Sequence, residues 1–297
     1  MKRVEVLKTY KIYSGGKFPR TESGRYYMAI DPKGNAIANM CRSSRKDVRN
    51  AVVSARKSLG TWSGKTAFNR SQVLYRIAEV LEGRKLQFVE ELILQGSSKQ
   101  KAITEVEDSI DRIVYYAGWC DKFCQIGSSV NPVSSSHFNF STYEPVGVVG
   151  LLAPQESSLL GLVSLLMPII SGGNSVVLIA SEAYPLCSIT FAEVLNASDV
   201  PGGVVNILTG HYSELMPPLS SHMDVNAIAF SGLKDIKKKV DLDSVENLKR
   251  VRFYESSWNK KIAQGLHYIT DFQEVKPGIL LCFATWGSAS VRRRLKS

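Results

Sequence analysis

With 297 residues, 44% hydrophobic and 22% charged, the chain is long enough for one large or two ordinary domains, and its composition excludes a disordered or fibrous protein. The formal net charge of +10 is concentrated late, with 14 Lys+Arg against 7 Asp+Glu from Leu233 to Ser297 and a dense run at Arg292–Lys296; without interleaved aromatics this reads as a solvated face, and no nucleic-acid partner is expected. The longest apolar run, Leu159–Ile170, is shorter than the roughly 20 residues of a bilayer span, and Met1–Tyr10 lacks the apolar core of a secretory signal, so a cytoplasmic protein with no membrane span is expected.

Taken from the N-terminus, Lys17-Phe-Pro-Arg20 and Asp31-Pro-Lys-Gly-Asn35 are turn sequences within an extended arm. Ser44-Arg-Lys-Asp47 has the form of a helix N-terminus, and Val48, Val52, Ala55 and Leu59 follow at helical spacing. Further helices are predicted over 68–81 and 86–94, and a fourth from the capping form Thr104-Glu-Val-Glu107 to about Phe123. The period then changes: His137-Phe-Asn-Phe-Ser-Thr-Tyr143 alternates, placing Phe138 and Phe140 on one face of a projecting β-ribbon. From Val146 the grammar is strand and helix in turn. Strands are predicted over 146–153, 175–180, 204–208 and 227–230, with helices over 159–171, 185–197 and about 214–219, and a further helix 234–246 and strand 249–254. The strands are apolar without alternation, as burial on both faces requires. The fold expected is α/β, a Rossmann-type parallel sheet with flanking helices. Beyond Ser256 the pattern breaks, and Pro277–Gly287 is a single apolar burst, either a last strand or a foreign replacement.

The five cysteines, Cys41, Cys120, Cys124, Cys187 and Cys282, are an odd set at irregular spacing and read as reduced thiols, not as a disulfide framework. Cys120 and Cys124 share a helical face, but a metal site needs about four ligands and no histidine lies nearby, so no metal is expected.

Tyr115-Tyr-Ala-Gly-Trp119-Cys-Asp-Lys122, Glu144-Pro-Val-Gly147, Gly173-Asn174, Val200-Pro-Gly-Gly-Val-Val-Asn206 and Phe230-Ser-Gly232 stand in an order and spacing that resemble the aldehyde dehydrogenase superfamily over about residues 12–235. In detail the chain is similar to the second, C-terminal domain of the sixteenth aldehyde dehydrogenase family, which is degenerate in its catalytic residues in animals. The resemblance implies NAD(P) across the ends of parallel strands, a cysteine nucleophile, an asparagine in the oxyanion hole and a glutamate that activates water.

Role by role, the chain departs from that pattern. The family's Pro-Trp-Asn corresponds to Pro154-Gln155-Glu156, which puts an acceptor-only carboxylate where an amide donor belongs. Its Lys-Pro-x-Glu corresponds to Ile179-Ala-Ser181-Glu182; Glu182 keeps the carboxylate that accepts ribose hydroxyls, and Ile179 can neither donate a hydrogen bond nor neutralise a phosphate. Phe-Thr-Gly-Ser corresponds to Phe230-Ser-Gly232-Leu233, which keeps the glycine and loses the last hydroxyl. The expected cofactor-binding residues are therefore Ser181, Glu182, Gly210 at the cleft mouth and Gly232, holding NAD weakly and in preference to NADP. No counterpart of the family's Glu-Leu-Gly-Gly or Gly-Gln-x-Cys is present, and Cys282 in Leu280-Leu-Cys-Phe-Ala lacks the flanking pattern, so no catalytic residue is assigned.

The organisation expected is an N-terminal arm and helices over 1–125, an oligomerisation-type ribbon over 126–144, a Rossmann-like core over 145–255 and a divergent basic tail over 256–297, the chain being C-terminally truncated relative to the family. The ribbon's usual partner would come from C-terminal sequence missing here, which predicts a homo-oligomer or pairing with another aldehyde dehydrogenase domain. Two functions remain open, a catalytically inactive structural or interaction module and a residual NAD-dependent aldehyde dehydrogenase; a third, a basic nucleic-acid or phospholipid binder, rests on the tail alone.

Overall fold

The structure is a computed structural model that describes residues 6–135, 137–232, 234–255, 257–259 and 263–281. Its first segment is a small sheet in place of the expected arm. Strands β1 (Thr9–Tyr10), β2 (Tyr26–Ile30) and β3 (Ala36–Cys41) pair in the order β1-β3-β2. The β2–β3 reversal is the one the turn sequence implies: Asp31 Oδ1 accepts from the backbone N–H of Lys33 and of Asn35, both at 2.8 Å, and Gly34 takes the left-handed φ of 85°. A reciprocal backbone pair between Tyr13 and Ile207, at 2.9 and 2.7 Å, attaches this segment to the main sheet.

Four long helices follow: α1 (Arg45–Ser63), α2 (Ala67–Gly83), α3 (Lys85–Leu94) and α4 (Lys99–Ala117), then the short α5 (Phe123–Gly127). The capping box read from Ser44 and Asp47 forms, with Asp47 Oδ2 accepting from the Ser44 N–H at 2.7 Å. Helix α4 begins five residues earlier than the Thr104 signal. Ser98 is its N-cap, accepting from the Lys101 N–H at 3.4 Å, and the buried face Ala102, Val106, Ile113 and Tyr116 extends the helical spacing back through a polar first turn.

Strands β4 (Ser129–Asn131) and β5 (His137–Pro145) form the ribbon. The core runs β6 (Val148–Leu152), α6 (Leu160–Ser171), β7 (Ser175–Ile179), α7 (Leu186–Ala197), β8 (Val205–Leu208), α8 (Tyr212–Ser220), β9 (Ala227–Ser231), α9 (Lys234–Ser244) and β10 (Arg250–Tyr254). The five strands are parallel in the order β10-β9-β6-β7-β8, as the unbroken apolar runs require. Alternate strand residues enter two cores. Val149, Leu151, Val176, Leu178 and Ile207 pack with α2, α4, α6 and α7, whereas Val148, Leu152, Val177, Ile179 and Ile228 pack with α1, α8 and α9.

The chain closes with α10 (His267–Thr270) and β11 (Gln273–Leu281), and here an expectation is corrected. The ribbon's partner is present: β11 pairs antiparallel with β5 over nine residues, from Gln273 opposite Pro145 to Leu281 opposite His137. Gly278 stands opposite Phe140, whose ring tip would lie 2.4 Å from an added Cβ, so a larger residue there requires the ring to move. The segment before β11 packs into the core: Trp258, Ala263, Tyr268, Ile269 and Phe272 are all buried. Arg112 of α4 holds it, donating to the carbonyls of Ala263 at 2.6 Å and Trp258 at 3.1 Å, and to Ser164 Oγ at 2.7 Å. Asn174 Nδ2 donates to the Phe272 carbonyl at 3.0 Å. The pairing escapes sequence inspection because the paired residues of β11 and β5 stand 128 to 144 positions apart (273−145 and 281−137) with a different fold unit between them. Cys282, Arg292–Lys296 and the rest of the apolar burst lie outside the described residues, as does Leu233.

Candidate functional site: the crevice at the strand ends

The sheet order reverses between β6 and β9, so the loops after β6, β7, β8 and β9 meet at the carboxyl edge, where open α/β sheets take their ligands. The loop after β6 carries Gln155 and Glu156, that after β7 Ser181 and Glu182, that after β8 Gly210, and that after β9 Gly232. The four residues expected to touch a cofactor therefore lie along one edge. Their side chains and backbone divide into two clusters.

The first gathers Gln155, Ser181 and Glu182. Gln155 Oε1 accepts from the N–H of Glu182 at 3.0 Å, the N–H of Ala183 at 3.3 Å and the Ser181 hydroxyl at 3.3 Å, while its Nε2 donates to the Ala153 carbonyl at 3.1 Å. Ser181 also accepts from the Tyr184 N–H at 3.1 Å, shaping the entry to α7. Glu182 reaches to α8, where one carboxylate oxygen accepts from the Tyr212 N–H and the other lies 3.4 Å from His211 Nδ1. An acid at a helix N-terminus satisfies an otherwise unpaired amide and matches the helix dipole. Both oxygens that a ribose would use thus have partners within the chain.

Tyr212 completes this cluster, and sequence inspection missed it. Its side chain is buried, with the hydroxyl donating to the Ala153 carbonyl at the end of β6. Burial first, then the neighbouring Glu182, pushes its phenol well above the ordinary tyrosine range, so it stays a neutral donor. Gly210, φ 151°, has no open face: an added Cβ would meet Leu215 at 2.9 Å and the Ser43 N–H nitrogen at 3.3 Å. It serves a close approach of α8 and the loop between β3 and α1.

The second cluster surrounds Gly232, which has a left-handed φ of 71°. A Cβ there would stand 3.3 Å from Glu156 Oε2, so the carboxylate lies over the glycine, and Trp258 Nε1 donates to its other oxygen at 2.9 Å. Beside it, Glu105 of α4 accepts from the Ser157 hydroxyl at 2.8 Å and from the N–H groups of Leu159 and Leu160 at 3.0 and 3.2 Å. The N-terminus of α6, the first helix after the first core strand and a ready anion site, is occupied by that side chain. A cleft of about 730 Å³ remains between α4, Glu156 and Trp258, with Asp108 and Lys101 on its wall. Ser231 carries a buried hydroxyl with no partner among the described residues, as do Ser43 beside Gly210 and Tyr27, whose ring lies against His211.

Of the four described thiols, Cys41, Cys120 and Cys187 are buried. Burial pushes Cys120 up to about 12, with Arg70 opposing it, and raises Cys187 well above the free-thiol range, reinforced by Glu91. Cys124 is also raised by burial against Arg70. Among the described residues no group of three or more His, Cys, Asp or Glu could hold a metal ion, and no helix is long and apolar enough to cross a membrane.

The parallel sheet with its edge crevice agrees with what known proteins show. The profile of the Aldehyde dehydrogenase family matches residues 19–262. The chain belongs to the aldehyde dehydrogenase family. It is 32% identical over 251 residues to the putative aldehyde dehydrogenase DhaS of Bacillus subtilis (strain 168) and 30% identical over 251 residues to omega-crystallin of Enteroctopus dofleini. Each match covers 82% of this chain and 50% of the relative, so the chain spans about half the length of these proteins. Among solved structures, the NAD+ complex of aldehyde dehydrogenase from Bacillus cereus superposes with a TM-score of 0.79 at 26% identity, over 83% of this chain and 50% of that one.

Within that family the departures read from the sequence acquire positions. Ile179 is fully buried against α1 and α8, so its side chain extends a core and does not face a ligand. Glu156 sits in the second cluster with Trp258, and Gln155 is a structural latch in the first. The signal for Glu105 and Tyr212 was available only as an acid on a helix and an aromatic at a helix start, both of which are ordinary surface or core residues until the fold brings them to the edge.

Proposed function

We propose that this chain is a non-catalytic aldehyde dehydrogenase-type module that acts through its fold and surfaces. The observation that carries this reading is the engagement of the crevice by the chain's own groups. Glu182 caps α8, Tyr212 binds the end of β6, Glu105 caps α6, and Glu156 lies on Gly232. As arranged the residues disfavour NAD: a ribose would share the Glu182 carboxylate with the Tyr212 N–H and His211, and the phosphates would come toward Glu156 and Glu105, whose like charge opposes them. The general base and nucleophile motifs of the family have no counterpart within this chain.

The test is NAD-dependent oxidation of a panel of short and aromatic aldehydes by the purified chain. Background rates support the proposal; turnover near about 1 s⁻¹, the low end of ordinary enzymes, that persists in Cys282→Ser ends it. A second reading, a residual NAD-dependent aldehyde dehydrogenase, draws on Ser231, whose buried unpartnered hydroxyl is the sort of group a ligand satisfies.

In finer detail we assign the chain to the degenerate second-domain type of the sixteenth family, in the cytoplasm, with a homo-oligomer or another aldehyde dehydrogenase domain as partner. Support for the partner comes from the ribbon sheet, ordered β11-β5-β4, which exposes Val130, Phe138, Val275 and Ile279 and leaves the outer edges of β4 and β11 unpaired among the described residues. Sedimentation at micromolar concentration distinguishes the cases: an assembly that Phe138→Lys dissociates supports this assignment, and a monomer refutes it.

A further inference from the structure

A second concavity lies away from the crevice, between α1 and α8. Arg45, Lys46 and Arg49 of α1 line it together with Pro217, Pro218 and His222, around about 950 Å³, a size suited to a small molecule. Its charge is not balanced locally. Arg45 and Arg49 are exposed, stand one helical turn apart, and have no hydrogen bond or ion pair with any described residue. Lys46 pairs with Glu22. The acid in the same helical turn, Asp47, is buried and turned toward the N-terminal segment, accepting from the Thr21 hydroxyl at 2.6 Å and the Glu22 N–H at 3.1 Å. Asp243, the one acid of the lining, accepts from the Ser220 hydroxyl at 2.7 Å.

Two unpaired cations in the first turns of a helix oppose its dipole and repel each other, a local cost that helix formation alone does not explain. The α1 amides are not what attracts a ligand, because the Ser44–Asp47 capping box occupies that end. His222 adds a neutral donor. Burial, with Lys249, Arg49 and Arg56, lowers its pKa against the opposing Asp224. Its Nδ1 accepts from the Asp224 N–H at 3.2 Å, which leaves the proton on Nε2. Pro217 and Pro218 supply a stiff apolar wall.

We propose that this groove binds a phosphate-bearing small molecule, with the Arg45 and Arg49 guanidiniums taking its oxygens and the Pro217–Pro218 wall packing against its organic part. The assay is calorimetric titration with inorganic pyrophosphate of the wild type, of Arg45→Gln/Arg49→Gln and of Lys276→Gln. The proposal expects saturable binding that weakens about tenfold or more in the double variant and with added salt, while Lys276→Gln, which removes a cation of the ribbon paired with Glu144, binds as the wild type does. Equal affinity in a double variant whose thermal unfolding matches wild type overturns it, as does absence of saturation at roughly 10 mM, beyond the weak-binding range of about 1 mM. Vesicles carrying phosphatidylinositol phosphates form the other arm. Capture by these vesicles without any response to pyrophosphate overturns the small-molecule groove.

Discussion

Arg112→Met is expected to loosen the C-terminal segment from the core. Arg112 is 5% exposed and supplies hydrogen bonds to the Trp258 and Ala263 carbonyls and to Ser164 Oγ. Hydrogen bonds from a charged donor contribute about 1.5–3 kcal/mol each, and carbonyls left buried without partners cost about 1–3 kcal/mol each. Ser164 keeps a second contact, its hydroxyl donating to the Leu160 carbonyl at 2.6 Å, so its loss is small. Removing a cation whose pKa burial already lowers recovers part of its desolvation. The net is a loss of about 3–5 kcal/mol, which for a chain of this size lowers the melting temperature by roughly 10 °C. Urea unfolding followed by circular dichroism measures the loss, and limited proteolysis locates it between Ser257 and Ala263. Arg112→Lys should recover little, because an ammonium cannot reproduce the planar fork. A loss under about 1 kcal/mol, with unchanged proteolysis, would refute the docking described for this segment.

Three further outcomes follow from the same geometry. Gly278→Val should push β11 off Phe140 and expose the ribbon, read as faster amide exchange over 137–145; unchanged exchange contradicts the β5–β11 register. Glu91 is buried, with hydrogen bonds from the Tyr10 and Thr190 hydroxyls, and burial outweighs these to raise its carboxyl above the usual range. A raised folded-state pKa means the native state holds the proton more tightly, so Glu91 favours folding below the unfolded value of about 4.3 and loses that advantage as pH rises through the folded pKa. The stability of Glu91→Gln relative to wild type should therefore rise over that interval in urea titrations, and a difference flat with pH counts against it. Cys120 and Cys187 should resist alkylation in the native protein near pH 8 and react only on unfolding, which mass spectrometry resolves residue by residue.

The core strands and helices were legible because their signals are local. Apolar runs such as Val148–Leu152 and Ser175–Ile179 read as doubly buried strands, and Ser44 with Asp47 marked a helix start that forms as written. The α4 start was misplaced because Thr104–Glu107 satisfies the spacing of a capping box while Glu107 spends its carboxylate on Lys85 and the helix is already under way from Ser98. The N-terminal sheet was missed, and β11 was read only as one alternative for the run from Pro277, for a different reason. Their stability comes from distant partners, Ile207 for Tyr13 and β5 for β11, and a short strand without a neighbour has no signature of its own. The site behaved likewise. Ser181, Glu182, Gly210 and Gly232 could be placed along one edge from motif order, but what they touch depends on Gln155, Tyr212, Glu156 and Trp258, which arrive from up to about a hundred residues away.

The central claim is that the crevice is engaged by the chain's own side chains, and calorimetric titration with NAD tests it most directly. The account predicts no saturable heat at about millimolar NAD, a free energy of association weaker than roughly −4 kcal/mol. Saturable one-to-one binding at micromolar NAD, weakened by Ser231→Ala, would contradict it.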